Sequence, residues 1–226
     1  MPTRNQASYK LKEAFRRFAY ASPVHNWLGL GRNKYDQAFW DEKLAGDWEF
    51  QIGSTPSGEA RDGITLALIR TLAPNAKSIL DVACASGSLF RASGGRYSYT
   101  GIDLSTVAIA RGKELSPEAV FQVSAMEIFA PEDKYDVIVI SEVLYFQTLD
   151  EAVGLAQRYS SYLAPSGILI ITMAKDAKAE AIFRRLAGKM RWVNGFVYQE
   201  KNEGPEFAVR SEKTRVYLSG AYAPRS

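Results

Sequence analysis

Two acidic residues on either side of a run of small residues have the types and spacing that suit the binding of a nucleoside. Asp81 lies in a short apolar run, and the small residues after it end at Gly87. A second apolar run ends in Asp103. Small residues after a strand let the backbone approach a ligand, and a carboxylate ending the next strand can accept hydrogen bonds from ribose hydroxyls. The pair therefore predicts a site for a cofactor that carries a nucleoside.

The turn after Asp81 distinguishes between two classes of cofactor. A dinucleotide such as NAD needs glycine here, so that its pyrophosphate can lie against backbone N–H groups at a helix start. This chain has Ala83 and Ala85 at two of those positions and keeps only Gly87. The carboxylate of Asp81, inside the strand, does not help a pyrophosphate but suits a cofactor with an ammonium group. These residues oppose NAD.

Together with three later motifs, this turn resembles the class I S-adenosylmethionine-dependent methyltransferases. Its spacing matches the acidic residue and three small residues of that family's first motif, with alanine in place of two glycines. The later motifs follow in the family's order, at Tyr99–Ser105, Tyr135–Leu144 and Leu163–Ile171. Four motifs in order are far more specific than a lone glycine-rich loop. The resemblance implies S-adenosyl-L-methionine as the cofactor.

Shorter matches resemble one branch of the family. Asp47-Trp48, Glu59-Ala60-Arg61 and the run Ser141–Tyr145 are similar to nodulation-type N-methyltransferases, which act on chitooligosaccharides, and to related small bacterial enzymes. This implies methyl transfer to a nitrogen or oxygen of a small-molecule acceptor, such as an amino sugar or oligosaccharide. Two alternatives stay open: an NAD(P)-dependent oxidoreductase, and a cofactor-binding scaffold without catalytic activity.

The resemblance assigns cofactor contacts to strand ends and to the elements that would close over them. Asp81 would bind the ammonium group together with the backbone carbonyl of Ser141, and Asp103 would bind the ribose. Ser124 stands where the family usually has an acidic residue at adenine's amino group, and its hydroxyl can accept that hydrogen bond. The predicted contacts are Asp81, Ala83, Ala85, Gly87, Asp103, Ser124, Ala125, Met126, Ser141, Trp48 and Arg61.

The residues after the fourth strand are predicted to face the acceptor. Glu142 and Tyr145 would orient it, and no histidine follows the Val-Leu pair where many relatives have one. An amine needs only a modest base, whereas a hydroxyl needs a real base or a metal, so the sequence favours N-methylation. His25, the only histidine, is the candidate base for an oxygen acceptor. No spacing typical of metal ligands is evident.

Several of these residues also suit ordinary structural roles. Arg61 is alternatively a surface arginine paired with Glu59 or Asp62, and it would otherwise pair with the methionine carboxylate. Tyr145 is alternatively a packing residue. Asp103 is alternatively a charge near a helix start.

Composition limits the class of protein. The chain has 226 residues, 46% hydrophobic and 23% charged, with a net charge of +3. This is ordinary for a soluble globular protein and too mildly basic to indicate a nucleic-acid partner. The single cysteine, Cys84, permits no internal disulfide and is expected to be a buried packing residue. No apolar run is long enough for an integral membrane segment, and we expect a cytoplasmic protein whose oligomeric state is open.

Alternating strand and helix patterns predict an α/β fold. We expect a Rossmann-like seven-stranded, mostly parallel sheet with helices on both faces, an antiparallel C-terminal hairpin and a helical N-terminal cap. Residues 1–56 would form the cap, or lid, and residues 57–226 the methyltransferase domain. The basic helix predicted at Tyr9–Tyr20 packs on the domain or, alternatively, lies weakly on a membrane surface. Strands are expected near Ser78–Ala83, Tyr99–Asp103, Val120–Ser124, Tyr135–Ser141, Ile168–Thr172, Trp192–Glu200 and Thr214–Tyr222, and helices near Glu59–Leu72, Ser105–Glu114, Leu149–Leu163 and Asp176–Lys189.

Overall fold

A seven-stranded sheet forms the centre of the protein, whose computed structural model describes residues 36–45, 56–200 and 215–223. The spatial order of the strands is β3-β2-β1-β4-β5-β7-β6. Strands β1 to β5 pair in parallel, and β7 runs antiparallel to both β5 and β6. The strands are β1 Ser78–Val82, β2 Ser98–Asp103, β3 Val120–Val123, β4 Tyr135–Ser141, β5 Leu163–Ala174, β6 Arg191–Glu200 and β7 Arg215–Ala223. The Rossmann-like sheet and its antiparallel hairpin are thus confirmed.

Helices connect the parallel strands, and side-chain caps fix where several of them begin. The Ser105 hydroxyl accepts a hydrogen bond from the N–H of Ala108, and Thr148 forms a reciprocal capping box with Glu151. The helices are α1 Gln37–Ala45, α2 Pro56–Leu72, α3 Ser88–Ser93, α4 Thr106–Leu115, α5 Leu149–Ser160 and α6 Ala177–Lys189, with a 3₁₀ turn at Leu144–Phe146.

The alternation of side chains along each strand divides the core into two clusters, one on each face of the sheet. In β4, Val137 and Val139 pack with residues of α2 and α3, whereas Ile138 and Ile140 pack with residues of α5 and α6. All four are at most 1% exposed. Strands that are buried on both faces form continuous apolar runs in the sequence. These strands could therefore be predicted clearly from the sequence.

The order in which successive strands are added to the sheet reverses between β1 and β4, although these two strands are parallel. The chain proceeds outward from β1 through β2 to β3, and then returns to place β4 on the other side of β1. The carboxyl ends of these four parallel strands therefore meet at one edge, where the first turn is flanked by loops from both sides. Open α/β sheets bind their ligands at this crevice.

The structure differs from the sequence prediction at several boundaries, and it contains two short elements that were not predicted. Strand β5 spans Leu163–Ala174 instead of Ile168–Thr172, and α2 begins at Pro56 instead of Glu59. Helix α5 ends at Ser160 instead of Leu163, because β5 already begins at Leu163. The sequence did not predict α3, a helix of six residues that ends at Gly94 in a left-handed conformation. It also did not predict the 3₁₀ turn at Leu144–Phe146. Short helices carry too few apolar repeats for periodicity to reveal them.

The predicted cap is described only in part. Helix α1 belongs to it, and Asp41 of that helix accepts hydrogen bonds from the hydroxyls of Ser105 and Thr106 at 2.6 and 2.9 Å and from the N–H of Val107 at 3.2 Å. These bonds hold α1 against the start of α4. The basic pattern at Tyr9–Tyr20 and the rest of the aromatic segment lie outside the described residues, so the two-part domain division stays a prediction.

Candidate functional site

The turn after β1 is built from left-handed backbone at alternate positions. The φ angles are 60° at Ala83, 47° at Ala85 and 78° at Gly87. Left-handed backbone costs an alanine about 1–2 kcal/mol. Strain of this kind persists where the surrounding structure enforces it, and it concentrates at functional sites. The two alanines therefore keep the turn geometry that glycine would adopt without strain.

Gly87 has a steric as well as a conformational requirement. A Cβ atom built on it would lie 2.6 Å from Cζ of Phe121, the aromatic residue of β3 that faces this turn. Gly87 is also the N-cap of α3. The glycine thus lets the start of α3 approach the sheet closely.

We expect Gly87→Ala to lower the free energy of unfolding by about 2–4 kcal/mol, combining left-handed strain with overpacking against Phe121. Gly94→Ala is the matched control, since Gly94 has a φ of 67° and no atom within 4 Å of an added Cβ. Urea denaturation of both variants separates strain from the steric contact. Equal losses in the two variants would show that Phe121 does not limit this position.

Asp103 links the ends of β1 and β2 through its carboxylate. Oδ2 accepts a hydrogen bond from the N–H of Ala85, and Oδ1 accepts one from the N–H of Ser105, each at 2.9 Å. The first bond crosses from the end of β2 to the strained turn and fixes the carboxylate beside it. A carboxylate has about four acceptor directions, which suits it to bind several donors at once.

Asp81 is a buried carboxylate, 5% exposed, on the face of the sheet covered by α2. Burial raises its pKa from 3.8 to about 7, although the hydroxyl of Tyr99, which donates to Oδ2 at 2.7 Å, acts in the opposite direction. The nearby carboxylate of Asp62 raises the pKa further, and the charge of Arg61 lowers it. A cation placed here would stabilise the ionised form.

Arg61 is not the surface arginine of the alternative interpretation. Its Nε lies 3.5 Å from Oδ1 of Asp62, so it does pair as that alternative supposed, but its side chain is only 12% exposed. Burial raises the pKa of Asp62, and the charge of Arg61 opposes this rise. The start of α2 therefore places one positive and one negative group beside Asp81.

The loop after β3 lies next to the end of β2. The N–H of Ser124 donates to the backbone carbonyl of Asp103 at 2.9 Å, and its hydroxyl donates to the carbonyl of Ala125 at 3.2 Å. Ser124 and Ala125 are half-buried and Met126 is buried. The structure thus brings the predicted base-contacting residues beside the predicted ribose-contacting one.

The end of β4 carries the predicted acceptor residues. Glu142 has a φ of 56°, a left-handed conformation uncommon for glutamate, and its N–H donates to the carbonyl of Thr172 at 2.8 Å. The hydroxyl of Tyr145 donates to Oε2 of Glu142 at 3.2 Å. Oγ of Ser141 is buried and has no hydrogen-bond partner among the described residues. Such an atom at a crevice is suited to a ligand.

Three contacts around the candidate site were not predicted from the sequence. Lys178, 4% exposed, donates from Nζ to the carbonyl of Tyr145 at 2.6 Å, and burial lowers its pKa from 10.5 to about 8. Trp40 of α1 meets Phe146 edge to face, with ring centroids 5.3 Å apart. Asp41 ties α1 to Ser105, as described above. A lysine in the first turn of a helix gives no sequence signal of burial, and the other two features depend on how distant segments meet.

Two predicted residues, His25 and Trp48, lie outside the described residues. Within the ranges that the structure does describe, no helix is both long and apolar enough to cross a bilayer. The same ranges contain no group of three or more histidine, cysteine, aspartate or glutamate side chains arranged to hold a metal ion. Cys84 is buried, as expected, which raises the pKa of its thiol.

Comparisons with known proteins agree with this geometry. A family model described as a methyltransferase domain matches residues 57–202, which is more than half of the chain. The solved structure of the N-methyltransferase NodS from Bradyrhizobium japonicum, in complex with S-adenosyl-L-homocysteine, superposes with a TM-score of 0.67 at 20% identity. That match covers 84% of this chain and 98% of the other, and it shows a shared fold.

Two curated relatives match over part of their length. The chain is 27% identical over 125 residues to dTDP-3-amino-3,4,6-trideoxy-alpha-D-glucopyranose N,N-dimethyltransferase of Streptomyces venezuelae, covering 54% of this chain and 53% of that protein. It is 28% identical over 131 residues to trans-aconitate 2-methyltransferase of Variovorax paradoxus, covering 55% and 50%. The chain thus spans about half the length of the curated relatives it matches.

Proposed function

Because this chain belongs to the class I S-adenosylmethionine-dependent methyltransferases, we propose that it transfers a methyl group to an amino group of a small molecule, such as an amino sugar. The observation that carries the proposal is the placement of Asp103 and the Glu142–Tyr145 pair on opposite sides of the β1 turn. Asp103, at the end of β2, suits a ribose. The Glu142–Tyr145 pair, after β4, suits an amine.

The chemistry of the donor set fits S-adenosyl-L-methionine. Asp103 offers carboxylate oxygens for hydroxyl donors, and Ser141 offers a buried Oγ for a polar group. Asp81 offers a buried carboxylate whose ionised form a cation would favour. The left-handed turn at Ala83 and Ala85 permits the close approach of the backbone. A hydroxyl-bearing nucleoside with a cationic tail matches this set better than a pyrophosphate does.

The bound cofactor supplies a methyl group already activated on a sulfonium, so the residues of the chain need only position the acceptor and take its proton. In this proposal Glu142 accepts a hydrogen bond from the amine and receives the proton that the amine loses. Tyr145 donates to the same carboxylate and fixes its direction. Lys178 holds the backbone of this turn through the carbonyl of Tyr145. The aromatic rings of Trp40 and Phe146 would cover a small apolar part of the acceptor.

The names of the relatives support an amino acceptor and leave a carboxylate as the second candidate. Sugar N,N-dimethyltransferases and an N-methyltransferase favour nitrogen. The match to trans-aconitate 2-methyltransferase favours a carboxylic acid. A carboxylate acceptor would be repelled by Glu142, and this is why we favour the amine.

Titration calorimetry with S-adenosylhomocysteine and with NAD tests the cofactor, and turnover on matched amine, hydroxyl and carboxylate acceptors tests the reaction. We expect S-adenosylhomocysteine to bind and NAD not to bind. Binding of NAD alone would support the oxidoreductase alternative. Binding of S-adenosylhomocysteine without turnover of any acceptor would support the inactive scaffold.

We expect Asp103→Ala to weaken S-adenosylhomocysteine binding by about 1.5–3 kcal/mol, the scale of a hydrogen bond to a charged group. Asp136→Ala is the matched control, because Asp136 also accepts from two backbone N–H groups, those of Lys77 and Ser78 at 2.7 and 3.0 Å. Asp136 lies at the amino ends of the strands, so its loss should lower stability without changing affinity. An equal loss of affinity in both variants would refute the ribose assignment.

A further inference from the structure

Two neighbouring side chains of α5 hold the loop that follows β3. Nη2 of Arg158 donates to the backbone carbonyls of Met126 and Phe129 at 2.6 and 2.8 Å, and Nη1 donates to that of Glu127 at 2.6 Å. The hydroxyl of Tyr159 donates to the same Met126 carbonyl at 2.8 Å. Three carbonyls of one turn are therefore bound by a single guanidinium.

The loop is held on its other sides as well. The N–H groups of Ile128 and Phe129 both donate to the carbonyl of Ala125, at 3.2 and 3.1 Å, which closes the turn on itself. Ser124, at its start, donates to the carbonyl of Asp103. Tyr159 is fully buried, and the guanidinium of Arg158 lies 5.2 Å from its ring centroid. Hydrogen bonds to a charged donor, partly shielded from water, are among the stronger ones in proteins.

These contacts decide which way the polar groups of the loop point. In a trans peptide the C=O and the following N–H point in opposite directions. Since the Met126 carbonyl faces Arg158, the N–H of Glu127 points away from α5. Without Arg158 only the neutral hydrogen bond from Tyr159, among the described residues, holds this carbonyl, so the peptide is freer to rotate and to present an acceptor where it now presents a donor.

We propose that Arg158 is a positioning residue that sets the specificity of this enzyme for adenine, by fixing the donor and acceptor pattern of residues 124–129. The inference rests on the proposed function, because it takes this loop as the contact with the base. The hydrogen bonds of Arg158 run to the carbonyls of Met126, Glu127 and Phe129, so its effect on the base is separable from the binding of ribose by Asp103. Tyr159 supports the same turn through one neutral hydrogen bond.

The test compares two ligands that differ only in the base. S-inosylhomocysteine replaces the adenine amino group with a carbonyl and turns the acceptor N1 into an N–H donor, so a loop with a fixed donor pattern should reject it. We expect wild-type protein to prefer S-adenosylhomocysteine, and Arg158→Met to reduce that preference about tenfold, the scale of one charged hydrogen bond. Asp103→Ala should weaken both ligands alike.

Arg185→Met is the matched control, because Arg185 forms an exposed ion pair with Asp150 on α5 and does not reach the loop. Amide hydrogen exchange of residues 124–129 in the ligand-free protein gives a second readout, expected to be faster in Arg158→Met and unchanged in Arg185→Met. Should Arg158→Met fail to fold, Tyr159→Phe removes one bond to Met126 and should lower the preference in the same direction.

The outcomes separate this inference from the proposed function. A wild-type protein that binds neither ligand contradicts the proposed function. A wild-type protein that prefers adenine, together with folded Arg158→Met and Tyr159→Phe variants that keep the same preference and exchange rates, overturns the role of Arg158 alone. A fall in affinity for both ligands by one common factor also overturns it, since that result indicates only a structural role.

Discussion

Replacing Glu142 with glutamine is expected to lower turnover by about 100-fold or more, the range lost when a positioned proton acceptor is removed. Glutamine keeps the size of the side chain and can still accept the hydrogen bond of Tyr145, so affinity for S-adenosylhomocysteine should stay unchanged. The loss should therefore appear in kcat with little change in the cofactor Kd. Steady-state kinetics on an amine acceptor, together with calorimetry, measure the two quantities.

Two further variants show whether the loss is specific. Glu180→Gln is the control, because Glu180 is a carboxylate of α6 that pairs with Lys175 at 3.7 Å, and its loss should leave turnover nearly unchanged. His25→Ala should retain most of its activity at pH 8 if the acceptor atom is nitrogen. A thousand-fold loss in His25→Ala, beside normal activity in Glu142→Gln, would assign the base to His25 and favour an oxygen acceptor.

Much of the fold and of the cofactor side of the site could be predicted from the sequence because both depend on local patterns. The buried strands are apolar runs, and most of the predicted cofactor contacts lie within or just after one of them. Asp81, Gly87 and Asp103 were predicted from such offsets, and the parallel sheet then brings them to one edge. The two alanines of the first motif adopt the left-handed backbone angles that glycines would have at those positions. The spacing of the motif therefore indicates the shape of this turn better than the types of its residues do.

The acceptor side was predicted less completely because it is formed by contacts between distant segments. Glu142 and Tyr145 are close in sequence, and their pairing could be anticipated. Lys178 reaches the same turn from α6, and on the cofactor side Arg158 likewise reaches the β3 loop from α5. A lysine or an arginine in an amphipathic helix is usually a solvated residue, so only the packing of the helix reveals that each one holds backbone carbonyls.

The lid hypothesis stays a prediction, and helix α1 is the part of the lid that the structure describes. Trp40 contacts Phe146 beside the acceptor residues, and Asp41 holds α1 to Ser105, whose N–H in turn donates to Asp103. This chain of bonds connects the predicted cap to the predicted ribose contact. Aromatic residues on the inner side of such a segment would exclude water from the acceptor.

Asp81→Asn is expected to change how stability depends on pH, because the buried carboxyl has a pKa near 7 in the folded protein against 3.8 ordinarily. Since the folded-state pKa is the higher one, the folded protein binds the proton more tightly. The stabilisation of the folded protein by protonated Asp81 is complete below about pH 4 and is lost as the pH rises to 7. The span of about three pKa units corresponds to about 4 kcal/mol. Asparagine does not titrate, so wild-type protein should lose this advantage over the variant between pH 4 and 8.

Urea denaturation at pH 4.5, 6 and 8 measures the difference in the free energy of unfolding between wild type and Asp81→Asn. Asp136→Asn is the control that should not vary with pH over this range. Burial alone would raise the pKa of Asp136, but hydrogen bonds from Lys77 and Ser78 outweigh it and lower that pKa below 3.8, so its stabilisation is lost only as the pH falls below about 4. A difference for Asp81→Asn that does not vary with pH would show that the carboxyl is already ionised throughout this range.

The same proton should couple to cofactor binding. An ammonium group beside Asp81 favours its ionised form, so the affinity of wild-type protein for S-adenosylhomocysteine should rise between pH 6 and 8, while that of Asp81→Asn stays flat and about tenfold or more weaker at pH 8. The variant would then be at least as stable as wild type at pH 8 and yet bind the cofactor product less well. Equal affinities at pH 8 would remove Asp81 from the cofactor site and leave it a buried partner of Tyr99.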